Sequence, residues 1–172
     1  MNKCIYLVII GLMLVGCEEQ KQLNINAMLL NKSINDNSIE LNIKIKNISS
    51  EKVAIQNPMI GFNMHFELIT DRDTLFYFSN ASPSMNSSNY LVLDKDQIYE
   101  QKLSINRFGL PVEGSNEFRL QENEQYEYVI YYMTENEYFN LIVNDKEGFF
   151  ELYGFDPDLI IKEKYTIKGI ID

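Results

Sequence analysis

The clearest order in this chain is alternation. Ile39, Leu41, Ile43 and Ile45 alternate with Glu40, Asn42, Lys44 and Lys46. Side chains of an extended chain point to opposite faces in turn, so this segment has one apolar and one wet face. That is the pattern of an antiparallel sheet with one side on a core. Leu23, Ile25 and Ala27 alternate with Gln22, Asn24 and Asn26 and predict a preceding strand, with turn-rich residues 31–37 between the two. Asn47 to Glu51 interrupts the run and Lys52 to Ile55 resumes it, which predicts a strand–turn–strand pair. Phe62, Met64, Phe66 and Leu68 form another alternating face. With a turn at Asp71-Arg72-Asp73 and a return over Thr74 to Phe78, residues 61–78 read as a hairpin. Residues 79–89 are small and polar and read as a loop.

Two later segments echo each other. Leu93 to Tyr99 and Leu120 to Tyr126 each place a leucine, a polar turn and a tyrosine at the same spacing. Each then enters a strand: Tyr99, Gln101, Leu103 and Ile105 in one, Tyr126, Tyr128, Ile130 and Tyr132 in the other. A duplicated module would produce this echo. So would a β-sandwich in which a tyrosine at a strand start bonds back to the turn backbone, the tyrosine corner. Residues 134–155 read two ways. Thr134-Glu135-Asn136-Glu137 matches a capping box, with Tyr138, Leu141 and Ile142 at helical spacing, and predicts a short helix near 135–143 followed by a strand. Residues 138–143 and 149–155 about a turn at 144–148 also read as a hairpin, and the helix followed by a strand is the preferred reading. Phe155 to Asp158 is a turn, and Tyr165, Ile167, Gly169 and Ile171 form a closing strand. About nine or ten strands with little helix predict an all-β protein, a single antiparallel β-sandwich. The run 39–55 resembles the second and third strands of immunoglobulin-like domains of bacterial envelope proteins. That resemblance implies an immunoglobulin-like fold and no activity.

The amino terminus follows other rules. Lys3 supplies a positive end, Ile5 to Val15 an uninterrupted apolar run, and Gly16 a small residue before Cys17. The run is too short to span a bilayer and has the order of a secretion signal. Leu14-Val15-Gly16-Cys17 resembles the lipobox of bacterial lipoproteins. The resemblance implies cleavage between Gly16 and Cys17, lipid on Cys17, and a protein anchored in the bacterial outer membrane, facing the periplasm or exposed at the surface. Two acyl chains suffice for stable anchoring. The chain then divides into a signal peptide (1–16), a lipidated cysteine and tether (17–21) and a sandwich domain (22–172). Glu18 and Glu19 fit a plain charged linker. They also resemble the acidic export tag that carries some Bacteroidota lipoproteins to the cell surface.

Composition narrows the partners. Without residues 1–16 the chain keeps 156 residues (172 − 16), enough for one domain. The whole chain has net charge −10 and the signal holds one charge, Lys3, so the mature side chains carry −11. Such a chain repels phosphate backbones, which argues against nucleic acid. It also repels anionic lipid headgroups, so membrane association would fall to the lipid anchor. Cys4 and Cys17 are the two cysteines, so the domain after Cys17 has no disulfide to form and rests on its core.

The same scarcity bounds the chemistry. With His65 the single histidine, a His/Cys metal site or a Ser/His/Asp triad has too few members. Alternation puts His65 on the solvent side of its strand. The spacings Asp71/Asp73, Asp94/Asp96 and Asp156/Asp158 sit in turns, where aspartate bonds local backbone, and none continues as a calcium loop. No catalytic constellation, metal or cofactor is implied. Phe149, Phe150, Leu152, Tyr153 and Phe155 crowd apolar groups onto both faces of one segment. Burial under residues 134–145 would account for them, and so would a partner-binding patch over Phe149, Phe150, Tyr153 and Phe155. Tryptophan is absent, which favours a protein partner over a glycan. Asp73-Thr74-Leu75 resembles the O-glycosylation triplet of Bacteroidota exported proteins and would make Thr74 the acceptor. Sequence alone therefore points to an anchored, non-enzymatic binding module with a protein partner. An inhibitor or immunity lipoprotein that neutralises a toxin or protease stands as an alternative, as does a glycan-binding accessory of a surface uptake system.

Overall fold

The structure is a computed structural model, described over residues 21–58, 63–71, 74–78, 90–105, 118–134 and 146–172. The alternating run at 39–46 lies in the middle strand of a sheet. Strand β1 (Leu23–Ser33) pairs antiparallel with β2 (Ser38–Asn47), which pairs antiparallel with β7 (Ile98–Ile105). A register shift between Leu29 and Asn31 marks a bulge in β1. A second sheet has the order β5-β4-β8-β9, built from β4 (Met64–Ile69), β5 (Thr74–Phe78), β8 (Tyr126–Met133) and β9 (Lys164–Ile171), every pairing antiparallel. Nine strands are present among the described residues, with β3 (Val53–Gln56) and β6 (Tyr90–Leu93) forming a separate two-stranded ribbon.

The two larger sheets share one core. Ile39, Leu41, Ile43 and Ile45 of β2 meet Phe66 and Leu68 of β4 and Tyr128, Ile130 and Tyr132 of β8, all buried. Each such side chain stabilises the fold by about 1.5–3 kcal/mol relative to exposure. Strands β1, β2 and β7 take the places of A, B and E of an immunoglobulin-like sandwich, and β5, β4, β8 and β9 those of C′, C, F and G. A further mark agrees. The Gln121 N–H donates to the Tyr126 hydroxyl at 2.9 Å, and that hydroxyl donates to Glu124 Oε2 at 2.8 Å. Tyr126 thus forms a tyrosine corner at the start of the F-like strand. Its echo, Tyr99, differs: its hydroxyl bonds Gln101 Oε1 at 3.2 Å.

Two expectations are corrected. The segments at 39–47 and 53–56 are both strands, but they do not pair with each other. Strand β2 lies between β1 and β7, and β3 joins β6. Burial explains it: Val53, Ala54, Ile55 and Gln56 are all buried, so β3 has no wet face to lay on the surface of a sheet. The second correction concerns 149–155. No strand forms there; Lys146–Tyr153 is an α-helix, α1. Phe149 and Tyr153 stand four apart, so a helix brings both onto one buried face. Gly154 ends it with φ +79°, its N–H donating to Phe150 O at 2.8 Å, the left-handed terminator that glycine adopts without strain. The helix expected near 135–143 lies outside the described residues. Its expected cap, Thr134, is fully buried, and its hydroxyl is engaged with Ile161 O, Glu163 O and Glu163 N. Thr134 thereby clasps the end of β8 to the approach to β9.

Candidate functional site

Among the described residues, one end of the sandwich is built up beyond the two sheets. The connections β2–β4, β5–β7 and β8–β9 all leave from the end where β2 finishes at Asn47 and β8 finishes at Met133. Among the described residues, the first two hold β3 and β6, and the third holds α1 and a 3-10 turn at Pro157–Leu159. These pieces form a small second core. Ala54, Tyr90, Phe149, Tyr153, Phe155 and Ile160 pack together. Tyr90 is the hub, meeting Phe149, Tyr153 and Phe155 edge-on with ring centroids 5.7, 4.9 and 5.4 Å away. Such pairs add about 0.5–1.5 kcal/mol beyond the area they bury. The Ile161 N–H donates to Ala54 O at 3.0 Å and ties the 3-10 turn to the ribbon.

Asn47 holds this end to the sandwich. Its side chain is fully buried. Nδ2 donates to Glu51 O at 2.7 Å and to Leu93 O and Asp94 O at 3.1 Å each, and Oδ1 accepts from Ser49 N at 2.9 Å. Ser49 in turn receives the tether: Gln22 N donates to Ser49 Oγ at 2.7 Å, and Ile48 N donates to Gln22 O at 3.1 Å. Lys21 reaches the backbone oxygen of Asp158, and the Asp158 carboxylate pairs with Lys146 at the start of α1. Lys146 holds that carboxyl below its ordinary range, and Asp158 raises the Lys146 ammonium in return. The first described residues are thus fastened beside α1.

The sequence-predicted residues scatter about this geometry. Gly16, Cys17, Glu18 and Glu19 lie outside the described residues. Of the aromatic patch, Phe149, Tyr153 and Phe155 are buried in the second core, against the ribbon and the 3-10 turn, while Phe150 is 57% exposed. Burial raises the Tyr153 hydroxyl above its usual pKa. The patch therefore reduces at its surface to Phe150, with Leu152 partly exposed beside it in the chain. Thr74 opens β5 at a sheet edge, paired with Ile69 and partly exposed, while the next residue, Leu75, is in the core.

His65 lies on the outer face of the four-stranded sheet, stacked on Tyr131 at 4.6 Å, with Nε2 3.3 Å from Glu67 Oε1. Asp73 lies outside the described residues, and the other two aspartate pairs bond within the protein. Asp94 pairs with Lys52 and Asp96 with Lys46, at 2.9 and 2.8 Å, and Lys46 lowers the Asp96 carboxyl's pKa. Asp156 Oδ1 accepts from Asp158 N at 2.9 Å at the start of the 3-10 turn. Among the described residues no group of three or more His, Cys, Asp and Glu is placed to hold a metal ion, and no helix is long and apolar enough to cross a membrane.

Sequence reasoning passed over Asn47 and Tyr90. Asn47 reads as the first residue of the break after a strand, and an asparagine in a turn can bond the backbone two residues on. Tyr90 follows a polar run and gives no such signal. The chain matches no protein-family model, and no curated protein matches it in sequence.

Proposed function

We propose that this protein is a lipid-anchored lipoprotein of a bacterial outer membrane whose immunoglobulin-like domain is a non-enzymatic binding module for a protein partner. The lipobox-like Leu14-Val15-Gly16-Cys17 carries the reading. The contacts of Lys21 and Gln22 support it: four and five residues past the proposed lipid site, they are already fastened to the domain. Such a short tether suits a domain displayed directly on a membrane. With −11 on the mature side chains, the domain favours a basic partner by electrostatic steering. Glycan binding has less support. An aromatic platform over Phe149, Phe150 and Tyr153 would need all three at the surface, and two are in the core.

The test is lipid labelling combined with protease access on intact cells, for the wild type, Cys17→Ala and Glu18/Glu19→Ala. Incorporation of labelled fatty acid that is lost in Cys17→Ala supports the anchor. A Cys17→Ala protein that still fractionates with membranes would refute it. Digestion of the wild type on whole cells, with protection of the Glu variants, would assign the surface and the acidic tag. Protection until the outer membrane is opened would place the domain in the periplasm.

A further inference from the structure

We infer that the helix-bearing end of the sandwich faces the lipid surface, with Phe150 of α1 at the headgroup layer. Partners are then met by the opposite end and the outer sheet faces. This rests on the lipid anchor proposed at Cys17. The occupant follows from the length of chain between Cys17 and the first fastened residues. Gln22 is pinned to Ile48 and Ser49, and Lys21 reaches Asp158. Four peptide steps separate Cys17 from Lys21, a reach of about 14 Å fully extended. The headgroup layer on one side of a bilayer takes up about 6 Å of that. The end that holds Lys21 therefore cannot lift more than about 8 Å clear of the headgroups, less than the diameter of one helix.

Helix α1 is the element beside this point. Asp158 is shared between Lys21 and Lys146, and Phe150 stands four residues beyond Lys146, on the same helical face. Ile48, whose N–H holds the tether, is also exposed. Apolar side chains are exposed elsewhere too, Met28, Leu30 and Ile170 among them. The tether, and not apolar surface alone, selects this end. Glu147 and Glu151 on α1 give no attraction to anionic lipid, so the contact depends on the high local concentration that the anchor imposes. The turn between β1 and β2 lies at the other end of the strands.

The cysteine distribution makes the test clean. With Cys4 removed in the signal and Cys17 acylated, an introduced cysteine is the sole free thiol of the mature protein. Glu147→Cys, which leaves Phe150 in place, and Asn35→Cys in the far turn are labelled with an environment-sensitive fluorophore. The lipidated proteins are reconstituted in vesicles of phosphatidylethanolamine and phosphatidylglycerol, with plain or brominated acyl chains. The expected result is a blue shift and loss of emission in brominated vesicles at position 147, with emission at 35 unchanged. Phe150→Ser should weaken the quenching at 147 while leaving the thermal melt in place, since the side chain is exposed. Equal or reversed quenching at the two positions, in protein whose amino-terminal peptide mass shows the lipid, overturns the orientation alone. This includes the case in which a protein partner and not lipid covers Phe150. A peptide mass showing unmodified Cys17 overturns the anchor and the orientation together.

Discussion

Replacing Asn47 by alanine should be among the most damaging changes to this domain that removes no apolar core. The Asn47 side chain has two N–H groups and three carbonyl acceptors, Glu51 O, Leu93 O and Asp94 O, so one N–H is shared between the two 3.1 Å contacts. Its oxygen takes the Ser49 N–H. That amounts to about three effective bonds, each with a net contribution of about 0.5–1.5 kcal/mol. Alanine removes them and leaves the partners at a buried site without replacements. The expected loss is about 3 kcal/mol, with Tm falling by about 6–12 °C for a domain of this length. The assay is urea and thermal unfolding followed by circular dichroism.

Asn47→Asp serves as the control. It keeps the shape and the bond from Ser49, but it turns two donors into acceptors facing three carbonyl oxygens. A buried carboxylate without donors there should cost more than the alanine cavity. The order wild type, then Ala, then Asp is the expected outcome. An Asn47→Ala domain within about 0.5 kcal/mol of wild type, the range of an unremarkable surface change, would refute the account of Asn47 as the clasp of this end.

Tyr126→Phe removes the corner bonds to Gln121 and Glu124 while keeping the ring, and should cost about 1–2 kcal/mol, read as a Tm drop of about 2–8 °C. Gly169 faces Tyr128 across the β8–β9 pair, and a Cβ there would lie 2.4 Å from the tyrosine ring. Gly169→Ala should therefore lose about 1–3 kcal/mol in urea unfolding, and an unchanged midpoint would contradict the packing. At high pH the tyrosines set the limit. Burial raises Tyr132 well above its ordinary value, and Tyr128 and Tyr165 are raised too. Folded-state values above the unfolded value of about 10 mean that stability is intact below that pH and is lost as pH rises beyond it. Phenolate absorbance should then rise together with unfolding and not before it. At low pH the sign reverses. Asp96, Glu100 and Asp158 have lowered folded-state values, set by Lys46, Lys44 and Lys146 respectively. Their contribution is present above about pH 4 and is lost as pH falls through the lower folded values. All three are exposed, so added salt should flatten that loss, checked by melts at low and high ionic strength.

The sheets were legible in the sequence because they follow a rule with period two. Strands β1, β2, β4, β7, β8 and β9 all show it, and Met64–Ile69 pairs with Thr74–Phe78 as the pattern indicates, the turn at 72–73 lying outside the described residues. What was not legible is which strands become neighbours. The close spacing of 39–47 and 53–56 suggests a pair, yet burial on all four residues of β3 sends it into the ribbon with β6. Dense aromatics fail as a guide for a related reason. A run with apolar groups at 149, 150, 152, 153 and 155 fits a strand with two covered faces or a helix with one. The choice depends on Tyr90 and Ala54, distant in the chain, offering a surface for Phe149 and Tyr153 together. For the candidate site, only Phe150 of the four predicted contact residues keeps the exposure a partner would need.

The residues that fix the two ends are asparagines, and composition could not rank them. Asn37, in the left-handed region at φ +49°, donates from Nδ2 to Phe118 O at 2.8 Å and accepts from Leu120 N at 2.9 Å through Oδ1, which locks the opposite end near the Tyr126 corner. Asn47 does the corresponding work at the built-up end, and its effect extends to the amino terminus. Its bond to Ser49 N shapes the turn that presents Ser49 Oγ to Gln22. Loosening that turn should therefore release the tether as well as the ribbon. Asn47→Ala is expected to raise hydrogen exchange at the Gln22 and Ile48 amides more than at Asn37 or Leu120, a gradient along the molecule that uniform destabilisation would not produce. Equal acceleration at both ends would mean that Asn47 acts on global stability alone. The orientation at the membrane would then have to rest on the Lys21–Asp158–Lys146 link without help from the turn.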